Sequence, residues 1–245
     1  MYVTDNSRDM EVEVVPKDNT HIDCTPEPSI KLPESISLSN SVRASAYVYA
    51  VCHYKGVTYL GTMKRTVEAI DSDFNLKTLV SLSGNRYPVG ICIHDDTIYV
   101  IVSGVLGRYT INVYDLSGQL ITQWNRSDSC FYIKPAIVSD QVVLPNYRNK
   151  QLTAYSLRGE VIKHVSCPQL SGSWIDHTSV CAVDDETVVV TSYNKSKVFK
   201  VNINTGETVW TCNDVAKPIA VAIYGKDYVC VGSYGKISFL NINTG

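Results

Sequence analysis

The feature that most constrains the fold is a turn that recurs along the chain with glycine at the same place. The turns end at Gly118, Gly159, Gly206 and Gly245, so successive copies lie 41, 47 and 39 residues apart. A repeat of this length is typical of supersecondary units that stack on one another, because a single unit cannot bury its own apolar face. The region from about Ser45 onward is therefore predicted to be a repeat structure.

One repeat contains four short segments that are rich in β-branched and aromatic residues, separated by polar or glycine-containing turns. In the clearest copy these segments are Val89–Ile93, Thr97–Val102, Tyr109–Tyr114 and Gln119–Trp124. Four antiparallel strands in about 40 residues are typical of one blade of a β-propeller. A β-sandwich also has many short strands, but its turns do not repeat at a fixed period.

We therefore predict an all-β chain, a β-propeller of four-stranded antiparallel blades. Four full blades and three strands of a fifth are visible, and six are expected in a complete ring. Alternatively, strands from residues 1–41 complete the ring. The first strand of each blade is expected to line the centre and to be apolar on both faces.

Charge divides the chain into two parts. The protein has 245 residues and a net charge of −2, but residues 1–41 contain eight acidic and three basic side chains. This acidic segment is expected to be weakly ordered, and residues 42–245 are expected to form the propeller. Neither a signal peptide nor an apolar run long enough to span a membrane is visible.

The eight cysteines contain no Cys-x-x-Cys pair, and several lie inside predicted strands. Free cysteine in a strand behaves as a small apolar residue. A reduced, cytoplasmic location is therefore expected.

The repeat assigns each turn to one of two faces. Turns between strands one and two and between strands three and four share the first face, which is acidic and includes Asp95, Asp96 and Asp140. Turns between strands two and three, together with the links between blades, share the second face. We call these the acidic face and the basic face. The basic face is predicted to bind the ligand through Arg65, Arg86, Tyr87, Arg108, Tyr109, Tyr132, Lys134, Tyr147, Arg148, Lys150, Tyr193, Lys195, Lys197, Lys217, Tyr234 and Lys236.

Two kinds of ligand suit a basic face that carries tyrosines. Tyr and Arg are common hot-spot residues of protein interfaces, which favours a protein or peptide. Lys and Arg also contact phosphates, and tyrosine rings stack on bases, so single-stranded RNA is an alternative. A third interpretation is that the turns share residues only because they share a geometry. No DNA or membrane partner is expected.

Sequence motifs for catalysis are missing. The histidines lie in different blades and show no metal-ligand spacing, and neither a nucleophile elbow nor a phosphate-binding glycine loop is present. We therefore expect a chain that is not an enzyme and has no catalytic residue, metal or cofactor. A propeller enzyme with a metal in its central channel is the rival class.

Two runs, Leu144–Gly159 and Val190–Gly206, pass from a strand through an Asn-rich basic loop into a strand that ends in a glycine turn. This sequence pattern resembles the NHL-repeat propellers, in particular the C-terminal propellers of tripartite-motif proteins. A generic NHL-like or WD40-like propeller is the broader alternative. The resemblance covers about 42–245.

This resemblance implies a recognition module. In the tripartite-motif family the propeller selects substrates for ubiquitination, and some family propellers bind single-stranded RNA on their basic face. A RING would supply the ligase activity, and the zinc-ligand spacing of a RING is not visible in this sequence. The expectation is therefore a binding scaffold.

Overall fold

A computed structural model describes residues 11–14, 42–104, 109–126, 133–172 and 177–245. All the regular elements in these ranges are β strands. None of the described residues belongs to a helix with the length and apolarity needed to cross a membrane.

The strands form five sheets that follow one another along the chain, and each sheet is one blade. The strands of blade 1 are β2 (Val48–Tyr54), β3 (Val57–Thr62), β4 (Thr66–Ile70) and β5 (Leu76–Ser81). Those of blade 2 are β6 (Tyr87–His94), β7 (Thr97–Ser103), β8 (Tyr109–Asp115) and β9 (Leu120–Arg126). Those of blade 3 are β11 (Ala136–Val138), β12 (Gln141–Asn146), β13 (Gln151–Ser156) and β14 (Val161–Ser166).

The last two blades each include a strand from elsewhere in the chain. Blade 4 contains β15 (Thr178–Ala182), β16 (Thr187–Ser192), β17 (Lys197–Asn202) and β18 (Thr208–Cys212), with the two-residue strand β10 (Ile133–Lys134) parallel to β15. Blade 5 contains β19 (Ala220–Tyr224), β20 (Tyr228–Ser233) and β21 (Lys236–Asn241), with β1 (Glu11–Val14) parallel to β21. A strand from the acidic segment thus supplies the fourth strand of blade 5.

The predicted architecture is confirmed: the chain is all-β and forms five blades in a propeller arrangement. The sixth blade that the sequence led us to expect is not among the described residues. Most of the acidic segment likewise lies outside those ranges.

Neighbouring blades bury apolar side chains between them. Along β7, Ile98 and Val100 pack toward blade 1, whereas Tyr99 and Ile101 pack toward blade 3. In β16, Val190 packs toward blade 3 and Val189 toward blade 5. Because these two second strands are covered on both faces, they read as nearly continuous apolar runs.

This burial pattern corrects the expectation for the first strands. The second strand β16 is buried along its whole length, whereas the first strand β19 is exposed at four of its five residues. The first strands line the central channel and are only partly covered. The outermost strands, such as β9, are mostly exposed.

Four apolar cores connect the five blades in series. Within the described ranges no buried apolar cluster joins blade 5 to blade 1. Accordingly, Val51 on the inner strand of blade 1 is 53% exposed and Ile223 on that of blade 5 is 41% exposed. In the described part of the chain this seam therefore lacks the apolar core that joins the other neighbouring blades.

The recurring turn connects the third and fourth strands of a blade, and its first residue accepts hydrogen bonds from the turn itself. The Asp115 carboxylate accepts from the backbone N–H groups of Ser117 and Gln119, each at 2.9 Å. The Asn202 side chain accepts in the same way from Asn204 at 2.8 Å. These contacts explain why Asp and Asn recur at this place.

The turn glycine lies against the outermost strand of the preceding blade. A Cβ atom on Gly118 would be 2.5 Å from the backbone oxygen of Leu79, and one on Gly245 would be 2.9 Å from the Trp210 ring. A Cβ on Gly159 would overlap the Trp124 ring. These three glycines also have positive φ. Glycine thus permits both the turn and the close approach of successive blades.

Blade 1 shows the same turn without a preceding blade. The Asp71 carboxylate accepts from Asp73 and Asn75, as Asp115 does in blade 2. In the place of glycine stands Phe74, with φ of 63° and an exposure of 52%. A side chain is accommodated here because no described strand lies against this turn.

We expect Gly159→Ala to lower the free energy of unfolding by more than about 2 kcal/mol, because overpacking against Trp124 adds to the cost of the positive φ. Urea unfolding followed by tryptophan fluorescence measures the loss. Gly56→Ala is the matched control, since Gly56 also has positive φ but nothing within 4 Å of its Cβ position; it should lose only about 1 kcal/mol. Equal losses would contradict a role for interblade contact.

Candidate ligand-binding face

The turns of the basic face share one backbone geometry. Arg65, Lys150, Ser196 and Gly235 stand at equivalent places in four blades, and all have positive φ. In blade 3 the Lys150 N–H donates to the oxygen of Tyr147 at 3.1 Å, and in blade 4 Ser196 donates to Tyr193 at the same distance. This shared geometry accounts for part of the similarity between the turns.

An aromatic cluster joins blades 4 and 5 on the basic face. The Tyr193 ring packs edge-on against His177 at 5.4 Å and against Tyr234 at 6.2 Å between ring centroids. The Lys217 ammonium lies 5.7 Å from the centre of the Tyr193 ring. Because Tyr234 is 73% exposed, the cluster presents a large aromatic surface to solvent.

The blade link holds this cluster in place. The Ser196 hydroxyl accepts a hydrogen bond from the Lys217 N–H at 3.2 Å, and the Tyr193 N–H donates to the oxygen of His177 at 3.4 Å. These bonds connect the turn after β16 to the segments that precede β15 and β19. They thus fix the backbone segments from which the rings and the ammonium extend.

A smaller cluster lies between blades 1 and 2. The Arg65 guanidinium lies 5.7 Å from the centre of the Tyr87 ring, and Tyr49 packs edge-on against the same ring at 6.2 Å. Cation–π contacts of this kind stabilise an exposed pair by about 0.5–1 kcal/mol. Both clusters combine a tyrosine with a basic side chain from an adjacent turn or link.

The remaining basic side chains of this face are distributed around the ring. Those that are exposed are Arg86, Arg148, Lys150, Lys195 and Lys217, and those that are partly buried are Lys197 and Lys236. The positive charge is therefore a band and not a single patch.

Two predicted site residues do not lie on the surface. Tyr109 is 3% exposed and Tyr147 is 1% exposed, and both belong to the apolar core between blades 2 and 3. The prediction that these rings contact a ligand was wrong, because the Tyr109 side chain at the start of β8 and the Tyr147 side chain in the turn after β12 both point into this core. Arg108 and Tyr132 lie outside the described residues.

Lys134 points into the central channel. Its ammonium donates to the oxygen of Val221 at 3.1 Å, which joins the inner edge of blade 4 to blade 5. Burial raises the pKa of Cys52 and Cys181, on the inner strands of blades 1 and 4, and the same ammonium offsets part of that rise. The sequence places Lys134 in a link between blades and so predicted a surface lysine. The direction of a side chain in such a link cannot be read from the sequence.

Three cysteines, Cys52, Cys92 and Cys181, lie on the first strands of their blades near this ammonium. Cys52 pairs with Tyr59 and Cys92 pairs with Tyr99, so both occupy the same register of their inner strands. Burial raises the pKa of each thiol, and the Lys134 ammonium acts in the opposite direction on both. The thiolate is the reactive form of cysteine, so the Lys134 ammonium offsets part of the loss of reactivity that burial causes in these thiols.

His177 completes the aromatic cluster but was not predicted. It precedes β15 in a stretch with no recognisable turn motif, so its contact with Tyr193 depends on the ring arrangement. Its position immediately before an inner strand is the one sequence signal that could have indicated it.

No protein-family profile and no curated protein sequence matches the chain. Solved structures do resemble it. Virginiamycin B lyase from Staphylococcus aureus, a catalytically inactive variant crystallised with quinupristin, has a TM-score of 0.62 and 15% identity over 84% of this chain and 69% of its own. A chain of the mitotic checkpoint complex has a TM-score of 0.57 and 14% identity, over 84% and 70%. The Pan2 WD40 domain of Neurospora crassa has a TM-score of 0.56 and 10% identity, over 76% and 56%.

These likenesses show the propeller fold. They also overturn the prediction that the chain is not an enzyme, because virginiamycin B lyase is an enzyme with a propeller of this kind. Missing motifs were therefore an unsound reason for excluding catalysis. At 15% identity the likeness assigns no activity to this chain.

We expect Lys134→Met to slow the alkylation of Cys52 and Cys181 severalfold at pH 8, because loss of the ammonium raises their thiol pKa and lowers the thiolate fraction. Iodoacetamide labelling followed by peptide mass spectrometry measures each rate. Cys230 is the internal control, since burial raises its pKa without a contribution from Lys134. Faster labelling of Cys52 would show that the substitution opens the channel instead.

Proposed function

We propose that this chain is a protein-binding scaffold that recognises a protein or peptide ligand through its basic face. The propeller fold supports binding of this general kind, since one similar structure is a WD40 domain and another belongs to the mitotic checkpoint complex. Fold likeness alone does not specify the ligand. The side chains of the basic face support the more specific part of the proposal, which is recognition of the ligand through that face.

The aromatic cluster of blades 4 and 5 is the observation that carries the proposal. Tyr193 and Tyr234 offer adjoining rings, and Lys217 places a positive charge beside them. Tyrosine buries a large area at a low entropic cost and is enriched at interface hot spots. Because the Tyr234 ring is so exposed, a partner that covers it removes a large area of the ring from water.

The charge of the face indicates an acidic ligand. Lys195 and Lys197 follow Tyr193 in the same turn, and Lys236 follows Tyr234. Complementary charge contributes mainly to the rate of association and to the choice of partner. A peptide that combines carboxylates with an apolar or aromatic anchor would satisfy both features of the surface.

The resemblance to tripartite-motif propellers supports a narrower form of the proposal, in which the ligand is a protein selected for ubiquitination in the cytoplasm. RNA is the competing ligand. The two differ in their dependence on salt, since each phosphate contact adds to the slope of binding against ionic strength.

The test is to select ligands from a displayed peptide library and to measure their affinity by fluorescence anisotropy. We expect enriched peptides to be acidic and to bind at least about 30-fold more weakly to Tyr234→Ala, the loss typical of a hot-spot residue. Lys195→Glu combined with Lys197→Glu should weaken binding further by charge repulsion. A labelled uridine 20-mer provides the RNA arm.

Lys226→Glu is the matched control, because Lys226 is an exposed lysine in a turn of the acidic face. This variant should bind the peptides as the unmodified protein does. Peptides that bind all variants equally would remove the basic face from consideration. Tight, strongly salt-dependent binding of the uridine oligonucleotide that Tyr234→Ala abolishes would replace the protein ligand with RNA.

A further inference from the structure

The turns of the acidic face contact one another from blade to blade around the mouth of the channel. The Lys55 ammonium of blade 1 lies 2.8 Å from the Asp96 carboxylate of blade 2. His94 of blade 2 contacts Asp140 of blade 3, and the Ser139 hydroxyl donates to the oxygen of Asp185 in blade 4 at 2.7 Å. The contact between His94 and Asp140 differs from the other two because it joins an imidazole to a carboxylate.

At that contact one imidazole nitrogen faces two carboxylates. The His94 Nε2 atom lies 2.8 Å from Asp140 Oδ1 and 3.5 Å from Asp95 Oδ2. The three ligand atoms all lie within 4.8 Å of one another. The imidazole is partly buried, with 29% of its side chain exposed, whereas both carboxylates open toward solvent.

The backbone positions this group without large side-chain movements. His94 ends β6 and pairs with Thr97 across a two-residue turn, and Val138 pairs with Gln141 across the equivalent turn of blade 3. Both residues of each turn, which include Asp95 and Asp140, have positive φ. Aspartate tolerates this conformation better than most residues.

We propose that His94, Asp95 and Asp140 bind a zinc ion that bridges blades 2 and 3. Zinc accepts imidazole nitrogen and carboxylate oxygen at about 2.0–2.2 Å, so ligand atoms in a tetrahedral site lie about 3.3 Å apart. The distance of 3.5 Å from His94 to Asp95 is already close to this value, and the distance of 2.8 Å from His94 to Asp140 needs to lengthen by about half an ångström. Water occupies the fourth position, as in zinc sites with three protein ligands.

The charges support a cation at this place. Two carboxylates and a neutral imidazole carry two negative charges, which a divalent ion balances. Asp96, the other acid of the same turn, is paired with Lys55 and leaves the Asp95 carboxylate to the site. The mixed nitrogen and oxygen donors favour zinc over magnesium, which prefers oxygen ligands and retains its water.

The spacing of these three residues in the sequence does not match a known metal-ligand pattern. His94 has a potential ligand beside it, but the third ligand follows 46 residues later, which is one blade repeat. Asp140 comes close because equivalent turns of successive blades are neighbours in the ring.

Isothermal titration of the purified full chain with zinc chloride tests the site. We expect one ion per chain and at least a tenfold higher Kd for Asp140→Asn and for His94→Gln, since even indirect changes to a metal site cost about 10–100-fold. Asp185→Asn is the matched control, because it removes an exposed acid from the corresponding turn of blade 4 and should bind as the unmodified protein does.

Titration with cobalt distinguishes this site from the cysteines. A cobalt ion bound by His94, Asp95 and Asp140 should show visible bands without the ultraviolet band of thiolate ligands, and Asp140→Asn should abolish them. Circular dichroism of the metal-free variants checks that they fold, and two separate substitutions guard against one that does not. Equal affinity in all variants, a thiolate band, or no binding by the unmodified protein would overturn the proposal.

Discussion

The close packing of each blade on the one before it is the constraint on which this structure depends. No single four-stranded sheet can bury both of its faces, so the second and third strands need neighbours on either side. At the rim, the turn glycines of blades 2, 3 and 5 come so near the preceding outer strand that a methyl group would collide with Leu79, Trp124 or Trp210. The glycine that repeats in the sequence is thus required by a contact between neighbouring blades.

The two faces differ because the strands alternate in direction. Short turns with aspartate and positive φ meet around one mouth of the channel, and longer links with tyrosine and lysine meet around the other. Side chains that are separated by about one blade repeat in the sequence therefore lie next to each other in the structure. His94 with Asp140 and Tyr193 with Tyr234 are both pairs of this kind.

Much of the fold was predictable because the repeat combines strand patterning with turn chemistry. The blades, their four strands and the assignment of turns to faces required only spacing and residue type. The direction of individual side chains was less accessible. Tyr147 and Tyr193 begin equivalent turns, yet Tyr147 is buried whereas Tyr193 reaches the surface, and that difference depends on the neighbouring blades. Lys134 likewise donates to the backbone of blade 5, a contact that depends on how the blades are assembled.

The seam between blades 5 and 1, which has no apolar core among the described residues, changes how these blades hold together. In a closed ring every blade has two neighbours, and loss of one opens the whole circle. In the ranges that the structure describes, four cores join five blades in a line, so the stability of this part approaches that of a one-dimensional array of units and nearest-neighbour interfaces. The terminal blades can then open at a lower free-energy cost than blade 3, and exposed edges such as Val51 and Ile223 mark the places where such fraying begins.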